Sequence, residues 1–341
     1  QLAATIGADG FQLLRAIYAV DAPGWIREVP AVDILRRVWL QQYYAPAADG
    51  STRWRAATDL APAALLINSP YDPEARYSTK RSVSWTGYKV HLTETCDDDT
   101  PHLITHIETT AATATDEQAL APIHAALAQK DLLPADHIVD AGYVDSERLV
   151  TSQEDYGVNL LGPIPSDTGW QARAGQGFDV ACFGVDWERQ TVTCPAGTTS
   201  TAWKPTHDRH GKDVIHVEFD RQICGTCAQR PACTRSQTTG RELTIRPQAQ
   251  HSALLVARQR QTSEDFKEQY AVRAGIEGTI SEGVHSCSLR RARYIGQART
   301  HLQHILTAVG LNVQRIAAWF AECPRATTRR SQFVMLMQGT G

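Results

Sequence analysis

Apolar positions recur at helical spacing near both ends of this 341-residue chain and at strand spacing in its middle. Ile34, Leu35, Val38 and Trp39 fall at i, i+1, i+4 and i+5, one stripe of a helix, so residues 1–45 read as helical. Residues 46–62, rich in Ala and carrying two Pro, read as a connector. Ala64-Leu65-Leu66-Ile67 has the composition of a short strand, and Pro70-Tyr71-Asp72-Pro73 that of a turn. Tyr88 to Thr93 alternates and is rich in β-formers; Cys96-Asp-Asp-Asp-Thr-Pro101 interrupts it and residues 102–108 resume it, which predicts a hairpin. Thr115-Asp116-Glu117-Gln118 caps a helix with Leu120, Ile123, His124 and Leu127 on one side. His137-Ile-Val-Asp140 is a short apolar strand ending on a carboxylate. Gly142 then permits a turn, a helix follows over 146–156, and residues 157–162 form another strand. Hairpin, helix, strand, helix, strand describes an α/β fold with mixed strand directions.

The texture changes at Pro163. Up to about Pro247 the chain gains Gly, Thr, Pro and Cys, and its periodicity becomes short and β-like, as in residues 213–219. Residues 164–247 therefore read as an inserted, β-rich, cysteine-containing subdomain. Helical spacing returns near His251 and runs to about Glu322. The expected order is a helical segment and connector (1–62), the first part of a core (63–163), the insertion, C-terminal helices completing the core (248–322) and a tail (323–341).

Apolar residues make up 42% and charged residues 21%, the balance of a globular protein. No apolar run approaches the roughly 18 residues of a membrane span, and no signal peptide opens the chain, so a cytoplasmic protein is expected. The chain begins at Gln1, and both its methionines, Met335 and Met337, stand near the other end; it reads as the C-terminal part of a longer protein. A formal charge of −3 does not announce nucleic-acid binding, yet arginines cluster locally: Arg290, Arg291, Arg293 and Arg299, with Arg325, Arg329 and Arg330 beyond. Arg76, Lys80, Arg81 and Lys89 form a second group.

Three constellations can carry chemistry. At the carboxyl end of a strand in an α/β sheet, Asp140 stands where side chains converge on ligands; a turn- or helix-capping Asp is the simpler reading of that stretch alone. Tyr270-x2-Arg273-x3-Glu277 would place three functional side chains on one helical face. Glu277 beside Asp140 would make a carboxylate pair suited to Mg²⁺, with Glu282 as a competitor and a solvated Arg–Glu pair as the plain alternative. Cys224-Gly-Thr-Cys227, with Cys233 after it and Cys194-Pro-Ala-Gly before it, has the spacing of a closed, structural Cys₄ zinc site. His207, His210 and Cys182 are substitute ligands, whereas Cys96, Cys287 and Cys323 read as ordinary residues. His301 and His304, three apart, flank the apolar stripe of Leu302, Ile305, Leu306, Val309 and Val313, with Trp319 and Phe320 expected in the core.

In order along the chain, Asp72-Pro-Glu-Ala-Arg76, the Trp85–Leu92 hairpin strand, Asp140-Ala-Gly-Tyr143, the cysteine-bearing insertion and Tyr270-x2-Arg273-x3-Glu277 resemble the bacterial insertion-sequence transposases of the DDE type. The resemblance spans roughly residues 65–320. It implies an RNase H-like mixed sheet flanked by helices, and catalytic acids at Asp140 and Glu277. It implies Mg²⁺ or Mn²⁺ held by those acids, with two ions about 4 Å apart flanking an in-line displacement. Water would cleave DNA, and a 3′-hydroxyl would then join it to a target. Double-stranded DNA is the implied partner, contacted by Tyr270, Arg273, Arg290 and Arg291, and a homodimer the implied acting form on nucleoid DNA. Two departures stand out. Position 284, where the family's signature usually carries Lys, is Val. The family's first acid usually lies in an Asp-Gly/Ser-Thr motif ahead of the hairpin, absent from residues 1–87; either Asp72 takes that role or the acid lies upstream of this chain. The rival readings are a catalytically inactive, zinc-stapled DNA-binding remnant of a transposase and an unrelated Mg²⁺-dependent nuclease.

Overall fold

The computed structural model describes residues 2–323, so Arg325, Arg329, Arg330 and the tail from residue 324 lie outside the described residues. In chain order the helices are α1 (Leu2–Ile17), α2 (Pro30–Gln42), α3 (Asp116–Ala128), α4 (Ser146–Tyr156), α5 (Trp170–Ala174), α6 (Arg221–Thr226), α7 (Arg230–Cys233), α8 (Gln248–Arg260), α9 (Glu264–Ala271), α10 (Ala274–Cys287) and α11 (Gln297–Phe320). The strands are β1 (Arg76–Lys80), β2 (Val83–Glu94), β3 (Ile104–Ala111), β4 (Asp136–Ile138), β5 (Asn159–Leu161), β6 (Gly184–Asp186), β7 (Thr191–Thr193), β8 (Ala202–His207), β9 (Asp213–Glu218) and β10 (Glu242–Ile245). This is a mixed α/β protein. It divides into two compact units, Gln1–Thr113 with Gly275–Gly341, and Ala114–Ala274.

In the first unit α1 and α2 pack through two glycines. A Cβ at Gly10 would meet the Trp39 indole at 2.0 Å, and the Trp39 Nε1–H donates to the Gly7 carbonyl at 3.1 Å. The expected hairpin is present and longer than its alternating core, with β1 added on the far side: β1, β2 and β3 form one antiparallel sheet. Ala64–Ile67 is not a strand. The Pro62 carbonyl accepts from the N–H groups of both Leu65 and Leu66, closing a turn that leaves Ile67 buried.

Helix α11 lies on β3. Ala308 and Leu311 meet Ile104 and Ile107, and the Asn312 amide bonds both backbone groups of Ile104 at 2.8 and 2.9 Å. Its buried face otherwise consists of Thr300, Gln303 and His304. The apolar stripe of Leu302, Ile305, Leu306, Val309 and Val313 faces outward instead, and Trp319 and Phe320 are 44% and 81% exposed, not core residues. Hydrogen bonds decide the orientation: Thr109 on β3 bonds His304 Nδ1 at 2.9 Å and His301 Nδ1 at 3.1 Å, fixing the polar face inward.

In the second unit α3 begins with the expected capping box, Thr115 with Gln118. Strands β4 and β5 pair in parallel through α4, which ends on Gly157 at φ +68°, the left-handed conformation that favours glycine at a helix C-terminus. Leu120, Val139, Val144, Leu160, Ile164 and Ala257 form its core. Farther along, β6–β7 and the antiparallel sheet β8–β9–β10 enclose a separate cluster that includes Phe183, Val192, Val217 and Phe219. The hairpin strands and the strand leading to Asp140 thus belong to different sheets in different units. No helix among the described residues is long and apolar enough to cross a membrane.

Candidate functional site

Strand β4 ends two residues before Asp140, which opens a 3₁₀ turn over Ala141–Tyr143 and accepts from the Ala141 N–H at 2.8 Å. The turn-capping role is therefore real. The second oxygen, Oδ2, pairs with Arg273 Nη2 at 3.7 Å, and the side chain is 49% exposed. A carboxylate read from the sequence only as part of a helix cap joins this corner. Asp116, at the start of α3, places Oδ2 2.9 Å from where a Cβ on Gly142 would stand. Tyr143 is half-buried here; burial pushes its hydroxyl up, Asp116 and Asp140 push it further, and Arg273 opposes them. The signal available beforehand was Gly142 itself, a residue without a side chain where a neighbour comes close.

Tyr270, Arg273 and Glu277 do not share a continuous helix. Helix α9 ends at Ala271, the Arg273 N–H closes a tight turn on the Tyr270 carbonyl at 3.1 Å, and α10 begins at Ala274. The turn at residues 272–273 interrupts the helix, and the i, i+3, i+7 spacing does not carry across the break. Tyr270 and Arg273 fall in the unit of Asp140, Glu277 in the other. There Glu277 is exposed on the first turn of α10. Its competitor Glu282 is committed elsewhere: it pairs with Arg315 at 3.2 Å, in a network where Arg315 also bonds Glu94 at 3.0 Å and Thr279 bonds Glu94 at 2.6 Å.

Asp72, in the same unit as Glu277, is held in a polar knot. Its carboxylate accepts from the Tyr88 hydroxyl at 2.8 Å, the Gly296 N–H at 3.2 Å and the Glu74 N–H at 3.3 Å. Gly296 caps α11, so the negative charge sits at the positive end of that helix. Burial, and then the Asp72 carboxylate, push the Tyr88 hydroxyl up. On the segment after α10, Arg290, Arg291, Arg293 and Arg299 are exposed, interleaved with exposed Tyr294, and make no ion pair among the described residues. Gln303 braces this segment, accepting from the Arg293 N–H at 2.8 Å and donating to the Arg291 carbonyl at 2.9 Å.

The four expected cysteines border a common space. Cys194, Cys224, Cys227 and Cys233 line one cavity of about 30 Å³, with Phe178, Phe219, Arg230 and Arg241 among its other walls. The thiols are free, and the Cys194 segment turns back on itself. Cys194 N–H donates to the Thr198 carbonyl at 2.8 Å, and the Thr198 N–H donates to Cys194 Sγ at 3.3 Å. Burial pushes the Cys233 thiol up while the Arg241 guanidinium opposes it, and burial in turn pulls Arg241 down. The substitute ligands are not there. His207 pairs with Asp213 at 3.1 Å, His210 stands beside Arg209, and Cys182 donates to Asp179 at 3.3 Å. His301 and His304 both bond Thr109.

Among the described residues no group of three or more His, Cys, Asp or Glu stands close enough together to hold a metal ion. For the carboxylates this assigns no ion from geometry. Four thiols line a space larger than one water, and a backbone N–H already points at one of the sulfurs.

A family model described as "Transposase DDE domain" matches residues 193–317, from the first of these cysteines through Glu277 into α11. The match covers well under half of the chain and supports a relationship to DDE transposases. No curated protein and no solved structure matches.

Proposed function

We propose that this chain is the catalytic region of an insertion-sequence DDE transposase, nicking DNA at element ends and joining the freed 3′-hydroxyl to a target. The observation that carries the reading is the transposase-domain match over residues 193–317, which includes Glu277. Asp140, Glu277 and Asp72 are proposed as the acids, with the first acid lying upstream of this chain as the alternative to Asp72. Tyr270, Arg273, Arg290 and Arg291 are proposed as DNA contacts, the last two because they are exposed on a braced segment. An RNase H-like arrangement, dependence on Mg²⁺ or Mn²⁺, action as a homodimer and residence with the bacterial nucleoid complete the proposal. At the cysteines a structural zinc ion is proposed, held by Cys194, Cys224, Cys227 and Cys233; a closed site of this kind supplies folding free energy, not catalysis.

The chain's own contribution at Asp140 is positional. The turn bond to Ala141 fixes the carboxylate and Arg273 partly screens it. A second reading, a DNA-binding protein without nuclease chemistry, is favoured by one observation: Asp72 is fully engaged in hydrogen bonds that hold α11.

Nicking of supercoiled DNA in Mg²⁺ or Mn²⁺ separates these readings, comparing the chain with Asp140→Ala, Glu277→Ala and Asp72→Ala. Loss of at least about a hundredfold in the first two is expected for groups acting at the reacting phosphate. Loss in Asp72→Ala as well assigns the third acid. Undiminished nicking by Asp140→Ala overturns the acid assignment, and DNA binding with no nicking by any form leaves an upstream acid or the second reading, which nicking by the chain with its upstream coding region restored separates.

A further inference from the structure

The cysteine cavity holds a charge imbalance that identifies what belongs in it. Two guanidiniums line the same cavity as the four thiols, Arg230 from α7 and Arg241 just before β10. Each is anchored on one side by neutral carbonyls: Arg230 Nη2 donates to Ser236 O at 2.7 Å and Arg241 Nη1 to Cys233 O at 3.0 Å. Neither makes an ion pair with a carboxylate among the described residues, Asp167 acting on Arg241 only from longer range. Moreover, each keeps one nitrogen wholly buried without a hydrogen-bond partner, Nη1 of Arg230 and Nε of Arg241. A buried guanidinium donor left unpaired is costly, and carbonyl partners do not neutralise its charge.

Three states of the cysteines give three different answers to this imbalance. Four neutral thiols leave two partly buried guanidiniums, each with one buried unpaired nitrogen, uncompensated. Two disulfides do the same. A divalent ion bound by four thiolates is a dianion, and two guanidiniums balance it, with sulfur lone pairs to accept from the unpaired nitrogens. We infer that Arg230 and Arg241 are the charge-balancing partners of a fully deprotonated tetrathiolate centre, so that the cavity is built for a divalent metal bound by all four cysteines. This rests on the zinc reading above and adds to it the two residues that select the charge state. They are positioning residues, acting through the thiolates.

The test uses the full chain. Metal analysis of the purified protein is expected to find one zinc per chain, and cobalt substitution to give the sulfur-to-cobalt charge-transfer bands of four thiolates. Zinc affinity is then read by competition with a chromophoric chelator. Arg241→Met and Arg230→Met are each expected to weaken zinc about 10–100-fold, the range for partners that orient metal ligands, and Arg241→Lys to recover most of the loss. Arg258→Met, which also removes an arginine with a buried unpaired nitrogen, but one bonded to Pro165 O and away from the cavity, should leave affinity unchanged. A wild-type chain that takes up zinc while both methionine variants bind it equally tightly overturns the inference. Should a methionine variant fail to fold, Arg241→Lys against Arg241→Gln decides, because equal affinity in that pair overturns it as well. A folded wild-type chain with no zinc, or with two disulfides by mass spectrometry, overturns the zinc reading itself.

Discussion

The buried histidines show how single side chains are committed before any partner binds. His124 and His137 meet at 2.9 Å through Nε2 and Nδ1, an arrangement that needs one ring to donate and the other to accept. Burial pulls His124 down and takes His137, also opposed by His124, to about 4. His304, buried against Thr109, is likewise held at about 4 by burial and by His301. Since these folded-state values lie below the ordinary 6.5, the unfolded chain binds protons more readily. The stability contributed by the neutral rings is complete above about pH 6.5 and is lost as pH falls towards 4. The thermal midpoint is accordingly expected to fall across that window, and the ring resonances of His137 and His304 to titrate near 4 by NMR. Titration of both near 6.5 would contradict the packing described here.

Among the elements, α11 and α10 depend on one buried ionic network. The Glu94 side chain is 7% exposed and Arg315 is 19% exposed, and their contact at 3.0 Å is shared with Thr279. Removing one partner of such a pair leaves a buried charge uncompensated, at a cost of about 3–5 kcal/mol. Arg315→Met should therefore lower the thermal midpoint sharply, and a change of only a degree or two would show that water already reaches Glu94. Fold legibility is clearest at this scale. The capping residues Thr115 and Gln118 and the alternation from Tyr88 to Thr93 act locally, so α3 and the β2–β3 hairpin were readable. The α9–α10 break was not, because Arg273 and Glu277 keep helical spacing in sequence whether or not the helix continues.

For the whole molecule, a net charge of −3 makes any DNA affinity a local property. Arg290, Arg291, Arg293 and Arg299 offer the exposed positive segment. If Arg290 and Arg291 each meet a phosphate, replacing both with Ala should lower the slope of log affinity against log salt by about two, since each contact releases roughly one counterion. An unchanged slope in a binding experiment from 50 to 200 mM salt would remove this segment from the DNA-contacting surface.

Local backbone preference and spacing determined much about this protein: the capped helices, the hairpin and the turn at Asp140. These follow from backbone preferences and short-range hydrogen bonds, which a sequence window contains. Tertiary structure alone decided that α11 turns its polar face to β3, because Thr109, Ile104 and Asn312 are distant in sequence and their hydrogen bonds outweigh the apolar stripe. It likewise decided that Glu282 is spent on Arg315, that Asp116 stands against Gly142, and that two arginines with unpaired buried nitrogens share the cavity of the thiols. Such pairings depend on which distant groups desolvate each other, and burial, not spacing, sets their energies.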